Sequence, residues 1–110
     1  MTIQNFLARL ASYQGELTFN PWRDTQREYE VDGAVEIRRK QLTDYLSCRV
    51  GKAKMLLVAE ACGYQGGHFS GIAMTCERMI LNQHPIVNSE MILGYQGQRT
   101  SRSDSPLIET

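Results

Sequence analysis

The run Lys54-Met55-Leu56-Leu57-Val58-Ala59 constrains this chain more than any other stretch. It is short, almost wholly apolar, preceded by Gly51 and followed by a loop carrying Gly63, Gly66, Gly67 and Gly71. At that length, with glycines on both sides, it reads as a central strand covered on both faces. Such a strand belongs between layers of helix, so the chain is expected to fold as an α/β unit.

The flanking segments supply the helices. Thr2 caps a first helix in which Ile3, Phe6, Leu7, Leu10 and Ala11 recur at i, i+3, i+4, i+7 and i+8 as one apolar stripe, and Gly15 closes it. Residues 16–33 are polar and carry Pro21, an irregular connector with Phe19 and Trp22 as anchors onto the core. Asp32 is expected to cap a second helix, Ala34 to Ser47, with Val35, Leu42, Tyr45 and Leu46 inward. Its Arg38-Arg39-Lys40 run reads as a solvated face. After the glycine loop, Thr75 offers an N-cap for a helix to about Leu81, with Met79 and Ile80 inward. Beyond Pro85 the periodicity decays, and residues 94–106 are polar and rich in glycine and serine. The organisation expected is thus 1–33 as N-terminal helix and connector, 34–82 as helix, strand, glycine loop and helix, and 83–110 as a polar tail.

A length of 110 residues allows one domain, and 42% apolar residues are enough for a core. Twelve basic and twelve acidic residues cancel, which removes the simplest argument for phosphate binding while leaving room for a local patch. Neither a signal peptide nor a membrane span is expected, and reduced thiols at Cys48, Cys62 and Cys76 suit a cytoplasmic protein. No CxxC pair is present, so no zinc or iron–sulfur site is expected, and no cofactor.

In open α/β sheets, ligands sit beyond the carboxyl ends of the strands, and Glu60 lies at that end. The loop glycines permit positive φ and close backbone approach to an anion or a base edge; the competing reading is a long flexible connection. Neither GxGxxG nor GxxxxGK[ST] is present, so no dinucleotide or triphosphate site is indicated. Glu60 either accepts backbone hydrogen bonds near a helix N-terminus or activates a water as general base. Cys62 with His68 forms a third possibility, a thiol nucleophile with its base. His84, beside Pro85, is expected at the surface.

The string LLVAEACGYQGGHFSGIAMTCERMI, Leu56 to Ile80, resembles the first active-site segment of the uracil-DNA glycosylase superfamily. It is closest to bacterial members with the pattern LLVGEAPGYxGxxxTGxPFTSE. The segments EIRRKQLTDYL, NFLARLA with FNPW, and ILGYQGQRTS are similar to neighbouring parts of such domains. The resemblance covers most of the chain but about the first half of such a domain. It implies the N-terminal part of a three-layer α/β/α fold, completed by oligomerisation, and base flipping followed by hydrolysis of the N-glycosidic bond of uracil in DNA. Glu60 then matches the glutamate of the water-positioning segment. Ala61, Gly63, Tyr64 and Met74 fall in the base pocket, Gly66, Gly67 and Gly71 form the loop backbone, and Thr75 and Glu77 match the T-x-E opening the next helix. No metal is implied.

The departures bear on activity. Ala59 replaces the first motif glycine and Cys62 the proline, while Ala73 and Met74 stand where the family has proline and phenylalanine. Methionine lacks the flat face that favours base stacking by roughly 1–3 kcal/mol. The family's uracil-reading asparagine and its C-terminal histidine loop have no counterpart within these residues. Two readings follow: a glycosylase or fragment acting on uracil in DNA, or a non-catalytic glycosylase-derived oligomeric or interaction protein, for which a homodimer is expected. No membrane partner is expected.

Overall fold

A computed structural model describes residues 1–59 and 66–102. Two helices of ordinary length carry the fold, α1 (Ile3–Ser12) and α2 (Ala34–Ser47), followed by three single-turn helices, α3 (Gly67–Ser70), α4 (Glu77–Ile80) and α5 (Ser89–Ile92). The Thr2 hydroxyl accepts from Asn5 N at 3.0 Å, so α1 starts with one of its orphan donors satisfied. It packs on α2 with Leu7 buried. The second helix keeps the bounds that its pattern predicts, but its cap is not Asp32. Gly33, left-handed at φ +77°, makes the turn instead, with no side-chain cap.

The three-layer α/β/α expectation is overturned. Among the described residues no strand forms, and the one β contact is an isolated antiparallel bridge between Glu30 and Ser101. Residues 55–59 belong to no helix, turn or strand. Met55, Leu56, Leu57 and Val58 are 91%, 88%, 75% and 78% exposed, the reverse of a covered central strand. The physical reason is that a strand is stabilised by its ladder partners and covering layers. None of the described segments supplies either to this run.

The interior is built from other material. Ile72, Ile80 and Leu93 make a small apolar cluster with Tyr45, Leu81 and Ile92 packed around it. Much of the remaining buried volume is polar: Glu30, Arg38, Gln41, His68, Ser70, Glu77, Thr100 and Ser101 are all buried. Burying such groups is tolerable only when each finds a partner, and here the hydrogen bonds are dense. Gln41 of α2 donates to Ser70 O at 2.8 Å and accepts from Gln98 N at 2.7 Å, tying the turn around α3 to the C-terminal segment.

That C-terminal segment is structural, against the decaying pattern after Pro85. Asn88 caps α5 by accepting from Met91 N at 3.0 Å. Gly97 donates to Ile80 O at 2.8 Å, and a Cβ at Gly97 would lie 2.8 Å from that of Ile80, so α4 meets bare backbone there. Val31 N donates to Thr100 O and Arg102 N to Tyr29 O, both at 2.7 Å, which stitches residues 100–102 beside the connector.

Candidate functional site

The turn from Gly66 to Thr75 is wound around one hydroxyl. Ser70 Oγ donates toward Thr75 O at 2.5 Å or Ile72 O at 3.1 Å and accepts from Ile72 N at 3.0 Å. Gly71 then takes φ +77°, where an added Cβ would stand 2.8 Å from Arg38 Cβ. Its carbonyl accepts from Trp22 Nε1 at 3.1 Å. Glycine at 71 therefore serves close packing of the turn on α2, with Trp22 of the connector closing over it. Gly66 precedes α3, and Gly67 is buried inside it. Met74, also left-handed at φ +56°, is exposed at the far end of the same turn.

Glu60, Ala61, Gly63 and Tyr64, together with Cys62 of the thiol reading, lie outside the described residues. The structure thus brings Gly66, Gly67, Gly71 and Met74 onto one turn. Two grooves open elsewhere. One of about 420 Å³ runs between α1 and α2, beside Gln4, Ala8, Ala11 and Arg39. Another of about 260 Å³ lies between α2 and residues 95–98, beside Ile37, Lys40, Tyr95 and Gln98.

The His68 side chain has aromatic and charged neighbours. It is buried on α3, its ring stacked on Phe19 with centroids 4.0 Å apart and planes within 3°. Its Nε2 lies 3.1 Å from Glu30 Oε2. The other oxygen of Glu30 accepts from Arg38 Nη1 at 2.5 Å, and Oε2 also accepts from Gln26 N at 2.9 Å. Arg38 completes its fork by donating to Pro21 O at 2.6 Å and Asp24 O at 2.9 Å. Here the structure corrects the reading of Arg38-Arg39-Lys40 as a solvated face: Arg39 and Lys40 are exposed, and Arg38 is fully buried. A carboxylate and two carbonyls held by the connector offer its guanidinium the planar set of acceptors it needs. Burial pushes the Glu30 carboxyl upward, but hydrogen bonds from His68 and Gln26 N and the charge of Arg38 outweigh it, leaving the carboxyl below its usual range. For Arg38, burial is the larger influence and pulls the guanidinium down against the opposing charge of Glu30.

A second buried carboxylate, Glu77, opens α4. Its Oε1 accepts from Thr100 N at 2.7 Å and Ser101 N at 3.0 Å, and its Oε2 from Ser101 Oγ at 2.5 Å. Glu77 thereby clamps the C-terminal segment. At the surface, Lys40 donates to Asp44 at 2.7 Å and Tyr95 OH donates to the same carboxylate. Hydrogen bonds from Lys40 and then Tyr95 lower the Asp44 carboxyl. His84 is partly exposed, its Nδ1 accepting from Ile86 N at 3.1 Å and Val87 N at 2.9 Å.

No cluster of three or more His, Cys, Asp or Glu able to hold a metal occurs among the described residues. None of their helices is long and apolar enough to cross a membrane. The Glu30–Arg38–His68 cluster has no signature in the sequence, since Glu30 and His68 lie 8 and 30 residues from Arg38 and the three share no motif. The exposed run is conspicuous in the sequence, where its composition points to a core strand. No family model, curated protein or solved structure matches this chain.

Proposed function

We propose that this chain is a non-catalytic interaction protein of glycosylase-like sequence, acting through the apolar run Met55–Val58. One observation carries the reading: four consecutive large apolar side chains stand at least 75% exposed in a chain whose charged groups are in part fully buried. Contiguous exposed hydrocarbon on this scale marks a contact surface. The described part of the glycine turn supports the same reading. Gly71 is spent on packing against Arg38, and Met74 offers a flexible thioether where the resemblance would place an aromatic ring.

The test is uracil release from single- and double-stranded oligonucleotides by the purified, folded chain, with Glu60→Ala alongside. No release above the no-protein control is expected. Release that disappears in Glu60→Ala would establish the glycosylase reading in place of this one.

A further inference from the structure

The backbone of the exposed run says what kind of surface would cover it. Among the described residues, none of the backbone N–H or C=O groups of Met55, Leu56, Leu57 and Val58 enters a hydrogen bond. These groups therefore need donors and acceptors as much as the side chains need apolar cover, because burying an unpaired peptide group is costly. A lipid surface would cover the side chains and leave the peptide groups unsatisfied. A groove made for a helix has the same defect, since it offers side chains and no ladder of backbone partners.

Both sides of the run are apolar as well. In an extended segment successive side chains point to opposite faces, so Met55 and Leu57 would share one face and Leu56 and Val58 the other. A flat apolar patch covers one of these and leaves the other bare. The requirement is backbone pairing along an edge together with hydrocarbon above and below, which is the environment at the open edge of a β-sheet lying between layers of helix.

A second copy of the chain meets the requirement poorly. Two runs paired edge to edge would satisfy one edge of each but leave all four faces uncovered. Charge also argues against self-pairing. Lys52 and Lys54 lead into the run, both exposed and without an ion pair among the described residues, and no acidic residue lies between Asp44 and Glu60. Antiparallel pairing of two such basic segments supplies neither lysine with a counter-charge from the run itself.

We propose, resting on the interaction reading above, that residues 54–59 dock by adding a strand to the open sheet edge of a partner protein, under apolar layers on both faces and beside acidic side chains that meet Lys52 and Lys54. The recognition is β-augmentation, in which main-chain bonds supply affinity and the alternate side chains select the slot.

The experiment is photocrosslinking of the full chain, with a photoreactive side chain in place of Leu57, in the cells that make it. Crosslinked residues are then mapped by mass spectrometry, and Leu56→Lys with Val58→Lys serves as the control. Crosslinks should fall on an edge strand of one identified partner and vanish in the control. In the purified complex, amide exchange at Met55–Val58 should slow by about 100-fold or more. Crosslinks to a second copy of this chain, to a helical groove, or at no higher yield than the control would each overturn the proposal. So would co-sedimentation of the unmodified chain with vesicles of anionic phospholipid that the control variant loses. Any of these results, obtained with a chain that releases no uracil, overturns the sheet-edge partner and leaves the non-catalytic reading standing. Uracil release dependent on Glu60 overturns that reading itself.

Discussion

Around Glu30, three ionisable side chains from the connector, α2 and α3 lie buried, while at Met55–Val58 four hydrocarbon side chains in a row stand in solvent. The two regions invert the usual rule of apolar inside and charged outside. Each is explained by where its partners are. Within the described chain Arg38 donates to Pro21 O, Asp24 O and Glu30, and Glu30 also accepts from Gln26 N and pairs with His68. The apolar run finds no cover there. A buried charge is tolerable when every donor and acceptor is met, and an exposed hydrophobe is informative when it forms a contiguous patch.

The largest effect should come from breaking the buried side of this contrast. Arg38→Ala strips the buried Glu30 carboxylate of its guanidinium partner, and should destabilise the fold by about 3–5 kcal/mol. Urea unfolding followed by circular dichroism should show a much reduced midpoint or no native baseline. A loss under 1 kcal/mol would mean that the cluster is a bystander to folding.

Gly71→Ala should come next. The new Cβ meets Arg38 Cβ at 2.8 Å and the residue must keep φ +77°, so about 2–3 kcal/mol is expected from steric and conformational terms together. The same denaturation series measures it.

The acid limb of stability sharpens the comparison further. The folded Glu30 carboxyl lies below its ordinary value, so at acid pH the unfolded chain binds a proton that the folded chain refuses. The stability it contributes is complete above the unfolded carboxyl range and is lost as pH falls through the lower folded value. Unfolding midpoints taken from neutral to acid pH should decline on that limb, and Glu30→Gln should flatten the decline. An unchanged slope in the variant would move the acid sensitivity to other carboxylates, of which Asp44 is also lowered.

The smallest effect on folding belongs to the exposed run. Leu56→Lys should change stability by less than about 0.5 kcal/mol, since the side chain is 88% exposed and supports nothing beneath it. A destabilisation above 2 kcal/mol would show that the run is covered in solution and would remove the contrast.

Local signals read well. The Thr2 cap of α1 and the full span of α2 are written within a few residues of one another, because helical hydrogen bonds and side-chain neighbours are local. Phe19 and Trp22 also anchor the connector as read, one stacking on His68 and the other bonding Gly71. Glycine at 71 was visible as a loop residue, but only the approach of α2 shows it to be a packing residue. The burial of Arg38 could not be read from its charged neighbours, since it depends on Glu30 arriving from a connector with no regular pattern.

The sequence by itself determined where α1 begins and what α2 spans, and that one short run is too apolar to be left in water. The tertiary structure alone decided that Arg38, Glu77, Thr100 and Ser101 form the interior while Met55–Val58 remain outside it. A helix carries its own hydrogen-bond partners, whereas a strand and a buried charge depend on partners brought from elsewhere, and their sequence does not name them.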